Sequence, residues 1–134
     1  MPQESWAKRA LRLLAAVAMI GVGIGHFTNP APFVRIVPSF LPAPLALVYV
    51  SGFFEILGGI GLLVARVHKQ AAWGLVALYL AVFPANINMA VNHIQLDPSD
   101  HLPVWAMWLR LPFQGLFIAW VIWLSRSPGP PSKE

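Results

Sequence analysis

Residues 51–63 read SGFFEILGGIGLL, a run of small and apolar side chains broken by one carboxylate, Glu55. Followed outward, the run becomes PLALVYVSGFFEILGGIGLLVA, about residues 44–65. A helix needs about 20 apolar residues to cross the hydrocarbon core of a bilayer, and this stretch is long enough. A carboxylate inside such a helix is costly against lipid. It is therefore expected to face the interior of a bundle and to find partners there. One span with an inward acid calls for further spans around it.

The remainder of the chain supplies three. They are LRLLAAVAMIGVGIGHF at about 10–27, AAWGLVALYLAVFPANINMAV at about 71–91 and LPVWAMWLRLPFQGLFIAWVIWL at about 102–124. The first is the weakest, its charge-free stretch running only from Leu13 to Gly25, and Lys8, Arg9 and Arg12 lie ahead of it, a pattern shared with signal peptides. With three spans behind it, an uncleaved first span is the better reading, with Arg12 reaching back to the interface by snorkelling. Of the 134 residues, 57% are hydrophobic and 10% charged, against about 25% charged in a soluble domain. The fold class expected is all-α: a four-transmembrane-helix antiparallel bundle, residues 10–124, joined by short turns. Residues 1–9 form an N-terminal segment, and the tail 125–134 is expected to be disordered. Cysteine is absent, which excludes disulfides, thiolate metal sites and dithiol redox chemistry.

The net charge of +4 is not a nucleic-acid signal, because the positive residues sit at the ends of the apolar runs. Seven of them (Lys8, Arg9, Arg12, Arg66, Lys69, Arg126 and Lys133) lie on one side, and only Arg35 lies in a loop on the other. The positive-inside rule then places both termini in the cytoplasm and the loops 28–43 and 92–102 outside. The first outer loop, TNPAPFVRIVPSFLPAP, is too apolar to hang free. A short interfacial helix over 30–37 is expected, capped by Thr28 or Asn29 with Pro30 at its first position. A proline-stiffened connector is the alternative.

Polar residues inside the spans gather in the outer half. At 1.5 Å per residue Glu55 lies about 15 Å deep and Arg110 about 9 Å, with Gln114 one turn below it. Asn86 and Asn88 lie about 5–8 Å below the outer end of the third span, and His26 closes the first. His26, Glu55, Asn86, Asn88, Arg110 and Gln114 are the candidate ligand-binding residues, with Glu55 within reach of Arg110, Gln114 or the asparagines. A purely structural network is the competing reading, since buried ion pairs can serve only to set register. The glycines of spans one and two permit close helix packing. Ser51, Glu55 and Gly59 also share a face that could form a groove for a flat ligand. Pro84 frees the carbonyl of Leu80. No ligand spacing supports a metal at His26, His93 or His101, and no phosphate loop or nucleophile motif is present.

GIGHFTNPAPFVRIVPSFLPAPLALVYVSGFFEILGGIGLL, VFPANINMAVN and WLRLPFQGLFIAWV together resemble the DoxX-like family of small four-helix membrane proteins, over about residues 10–124. The resemblance implies a bacterial inner-membrane protein. Relatives in that family are linked to quinone-dependent sulfur oxidation, to membrane oxidoreductase complexes and, in animals, to receptor assembly. It implies an accessory of a membrane redox system, with a quinone as possible cofactor and a membrane oxidoreductase or a second copy as possible partner in the lipid bilayer. A non-enzymatic assembly or stress-response factor and a small-solute exporter are the alternatives. Whether the chain is an enzyme, and which residues would be catalytic, stays open.

The charge distribution makes topology testable. Cysteines introduced singly at Ser99 and Ser132 should differ in intact cells, with membrane-impermeant maleimide labelling the first and not the second. The opposite pattern would reject the orientation.

Overall fold

A computed structural model describes residues 4–97, 99, 101–126, 128 and 130. Its elements are α1 (Trp6–Thr28), α2 (Ala31–Ile36), α3 (Pro44–Leu62), α4 (His68–Asn92) and α5 (Val104–Ser125). Four of the five helices are long and apolar enough to cross a membrane, and consecutive long helices run antiparallel. Phe53, Phe54, Leu57 and Ile60 on α3, like Leu80 on α4 and Leu116 on α5, are exposed. In water so much exposed apolar surface would drive aggregation, whereas in a bilayer it is the solvated face. The chain is a multi-pass membrane protein by this measure.

α1 starts at Trp6, ahead of its apolar run, because Ser5 caps it by accepting the Lys8 amide at 3.2 Å. The expected tail, 125–134, overlaps the end of α5 and lies mostly outside the described residues. α2 forms where a short helix is expected, but neither Thr28 nor Asn29 caps it. The Asn29 amide instead bonds the Gly25 carbonyl and finishes α1, and Pro30 occupies the cap position without a side-chain bond. Ala43, with φ of 50°, turns the chain between two prolines into α3. In the loop after α4, Asp97 accepts the Ser99 hydroxyl at 2.5 Å and its amide at 2.9 Å. These bonds, helped by the nearby Arg35 charge, hold its carboxyl below the usual range.

Packing follows a sequence of neighbours: α1 on α3, α3 on α4 and α4 on α5, with α1 and α5 meeting only lightly. α3 and α5 stand diagonally. The principal core, around Ala16, Leu62, Leu75 and Val121, fills the half nearest the termini. A second cluster of Ile36, Met89, Ala90 and Met107 seats α2 on α4 and α5.

At the end bearing the termini, Arg12 does not snorkel out as expected. It is 1% exposed. Its guanidinium pairs with Glu4 at 2.5 Å and donates to the carbonyls of Leu124 at 2.9 Å and Leu62 at 3.5 Å. Those carbonyls belong to the last turns of α5 and α3, which lack intrahelical donors. A cation there also meets the negative ends of two helix dipoles. Lys8 lies over the Trp123 ring, 4.1 Å from its centroid, at the same end.

α1 and α3 pack by backbone approach. A β-carbon on Gly23 would lie 2.8 Å from the Gly52 carbonyl oxygen and 2.7 Å from Ile56 Cγ1. One on Gly59 would meet the Ala16 carbonyl at 3.0 Å. The groove expected beside Ser51, Glu55 and Gly59 is therefore filled by α1 at Gly59. Gly52→Ala should cost about 1–3 kcal/mol of stability, read as a lower melting temperature in detergent. Gly21→Ala, where nothing lies within 4 Å, should leave it unchanged.

Candidate functional site

Glu55 faces the interior, as the cost of a lipid-facing carboxylate requires, and is 6% exposed. Its partners differ from those expected. The Tyr79 hydroxyl of α4 donates to Oε1 at 3.3 Å, and His26 Nδ1 of α1 lies 3.4 Å from Oε2. The same Nδ1 is 2.8 Å from the Val22 carbonyl. With two oxygens around it, Nδ1 carries the hydrogen. The imidazole is stacked on Phe33 of α2, with ring centroids 3.8 Å apart, so the short helix covers the pair. Tyr79 also touches Met19 of α1.

Arg110 is not paired with Glu55. Among the described residues Arg12 pairs with Glu4, whereas Glu55 has the His26 imidazole, not an arginine, beside it. The reason is topological. Depth alone suggested that an arginine on α5 could cover the gap to α3, but the two helices are diagonal, and Tyr79 of the intervening α4 takes the carboxylate.

Gln114 and Asn86 form a second group. Gln114 Nε2 donates to the Tyr79 carbonyl at 2.7 Å, and Asn86 Nδ2 donates to Gln114 Oε1. Pro84 lies one turn beyond and supplies no amide hydrogen to this part of the α4 ladder. Gln114 thus bonds the Tyr79 carbonyl and not the neighbouring Leu80 carbonyl, the one expected to be freed. Gln114 is 8% exposed, and its amide keeps a second hydrogen for another acceptor.

Asn88 is not part of either group. Two residues from Asn86, it lies about 200° away around the helix. Its side chain donates to the Ile36 carbonyl at 2.9 Å and holds α2 in place. Of the six expected residues, then, His26 and Glu55 form one group, Asn86, Arg110 and Gln114 border another, and Asn88 anchors the helix above.

The second group lines a cleft of about 290 Å³ between α4 and α5, bordered by Tyr79, Asn86, Arg110, Phe113, Gln114 and Phe117. Tyr79 belongs to both groups. Its hydroxyl joins the buried acid and its flank borders the cleft. Sequence reasoning missed it because an isolated tyrosine in an apolar run reads as packing. The available signal was spacing, since Tyr79 and Asn86 are seven apart and share a face of α4. A larger groove, about 640 Å³, runs between α3 and α4, but apart from Gln70 its walls are apolar and small residues such as Leu57, Gly58 and Ala81. Lipid chains suit it; it offers no directional chemistry. Among the described residues no group of three or more His, Asp or Glu is placed to hold a metal ion.

The geometry predicts which residues are energetically coupled. Tyr79→Phe leaves a buried carboxylate short of a donor and should cost about 1–3 kcal/mol. In double-mutant cycles read from unfolding in detergent, Tyr79→Phe and Glu55→Gln should couple by about 0.5–3 kcal/mol. Glu55→Gln and Arg110→Met should add to within about 0.5 kcal/mol. Coupling of the second pair rather than the first would contradict the arrangement.

A family model described as a domain of unknown function, DUF8561, matches residues 14–125, which takes in most of α1 and all of α2 to α5. No curated protein and no solved structure matches the chain. The matched span contains both polar groups and the cleft between α4 and α5, and the chain belongs to the DUF8561 family.

Proposed function

We propose that this chain binds the headgroup of a small molecule dissolved in the membrane and serves as an accessory to a membrane redox system. The observation that carries the proposal is the cleft between α4 and α5. It brings Arg110, Gln114 and Asn86 together beside two phenylalanines within the spans. Ligand sites combine apolar walls with a few convergent polar groups in this way, and a volume of about 300 Å³ is the lower end of their usual range. A ring bearing oxygen acceptors and an apolar tail, as in a quinone, would meet donors on Arg110 and Gln114 and ring faces on Phe113 and Phe117. Tyr79 would connect that ring to the Glu55–His26 pair, which is suited to hold a proton. The resemblance to DoxX-like proteins points to the same class of role in a bacterial inner membrane, with the termini on the cytoplasmic side by the positive-inside rule.

A second reading is a non-enzymatic assembly factor whose polar groups only hold the helices together. What favours it is that His26, Glu55, Tyr79, Gln114 and Asn86 already satisfy one another. Lipid extraction and mass spectrometry of the protein purified from its native membrane separates the two. The ligand reading expects about one quinone per chain. It expects a roughly fivefold to hundredfold loss in Gln114→Leu, since a buried hydrogen bond left unmade costs about 1–3 kcal/mol. A preparation with no stoichiometric quinone or other amphiphile, its melting temperature unaffected by added quinone, would leave the assembly reading.

A further inference from the structure

We propose that the cleft between α4 and α5 takes an anionic oxygen group, a phosphate or carboxylate, at the head of an amphiphile, with Arg110 as its counter-charge. The proposal rests on the reading that the cleft holds a headgroup and narrows the chemistry of that headgroup.

The argument begins with a charge that the fold leaves unmatched. Arg110 lies six residues into α5, about 9 Å along the helix from its start. Among the described residues it has no ion pair and no side-chain hydrogen bond, although it is only partly exposed and borders the cleft. The acid nearest in depth, Glu55, is already held by Tyr79 and His26 across α4. Asp97 is fully exposed in its loop and bonded to Ser99. Arg12, the other arginine inside a span, is handled in the opposite way, with a buried carboxylate and two helix-end carbonyls placed on it. An unmatched guanidinium within a span is costly unless a ligand or lipid supplies its counter-charge.

The surroundings of Arg110 fit an anion on an apolar body. Its planar fork of donors matches phosphate or carboxylate oxygens. The second Gln114 hydrogen is the next donor in the cleft, and no carboxylate borders the cleft to repel an anion. Phe113 and Phe117, one turn apart on α5, present apolar faces beside the charge, and Phe113 is exposed to the bilayer. A chain attached to the head can leave along them into lipid. The cleft is lined from α4 and α5 alone, and Phe113 at its border is exposed on the lipid-facing side, so the amphiphile can enter sideways from the membrane.

The test uses the full-length chain, stripped of lipid in a neutral detergent, and measures equilibrium binding of four probes. Dioleoylphosphatidylglycerol and oleate are the anionic ones; dioleoylphosphatidylcholine and decylubiquinone carry no net charge. At least one anionic probe should bind and should weaken roughly tenfold to hundredfold in Arg110→Gln, the range set by a charge-assisted hydrogen bond. Arg110→Lys should recover part of that loss, and Arg35→Gln, which removes an exposed charge from α2, should lose nothing. Whether phosphatidylglycerol or oleate responds identifies the source as a lipid phosphate or a free carboxylate. Equal affinity of the wild type for the anionic probes and phosphatidylcholine overturns the proposal without needing any variant. So does the same loss in Arg35→Gln, which would mark surface charge alone. Decylubiquinone binding with no anion preference refutes this proposal and leaves the headgroup reading intact; no binding of any probe refutes both.

Discussion

A β-carbon on Gly52 would lie 2.9 Å from the Gly23 carbonyl oxygen and 2.6 Å from the β-carbon of His26, so α1 and α3 approach until their backbones touch. No hydrophobic effect drives helices together in lipid, and close packing of this kind is what replaces it. The contact also sets the chemistry above it. Gly52 is one turn before Glu55, and His26 is one turn after Val22 on the facing helix, so closing the glycine seam brings imidazole and carboxylate together. A bulkier residue at either glycine would separate the pair by the width of a side chain. The buried acid is therefore possible because the helix that carries it has no side chain where α1 comes closest.

The two ends of the bundle meet different requirements. At the end with the termini, Arg12 draws the last turns of α3 and α5 onto α1 and answers carbonyls that lipid cannot. Together with the Lys8–Trp123 contact it brings α1 to α5. At the other end the seam between α1 and α5 lacks a clasp of this kind, and the polar groups of α4 and α5 line a cleft instead. α2 lies on α1 through Phe33 against His26 and is held to α4 by the Ile36 carbonyl on Asn88, and none of its residues lines that cleft. A bundle fixed at one end and open at the other can admit a ligand without disturbing its core, which lies mostly in the closed half.

Four spans, their antiparallel order, the short helix after the first span and the inward direction of Glu55 were legible in the sequence. Each depends on the mean polarity of a stretch or on one charge within it. The partners of Glu55 were not legible. Depth along a helix follows from residue number, but rotation about the helix axis and the choice of neighbours do not, and Arg110 was matched to Glu55 by depth alone. The helix order that makes α3 and α5 diagonal comes from small-residue seams on α1, α3 and α4, and glycines occur on open faces as well: nothing lies near Gly74 or Gly115. Asn86 and Asn88 looked equivalent by depth, and only their rotation separates a cleft residue from an anchor of α2. Arg12 was misread for a related reason. Snorkelling assumes water above the residue, whereas Glu4 and two helix ends occupy that space.

Separation of Glu55 from Arg110 has a consequence that a direct pair would not have had. Joined, the two would cancel, tie α3 to α5 and close the interior. Such a pair adds little stability beyond what apolar packing of the same volume provides. With Tyr79 between them, the carboxylate is satisfied by neutral donors on its own side, while the guanidinium faces a space that the chain leaves empty of acid. The phenol thus separates a charge that the fold satisfies from one that it leaves for something else to satisfy. Register is already served by the glycine seam, by Gln114 across α4 and α5 and by Arg12 at the far end. None of these contacts engages Arg110, which borders the cleft instead.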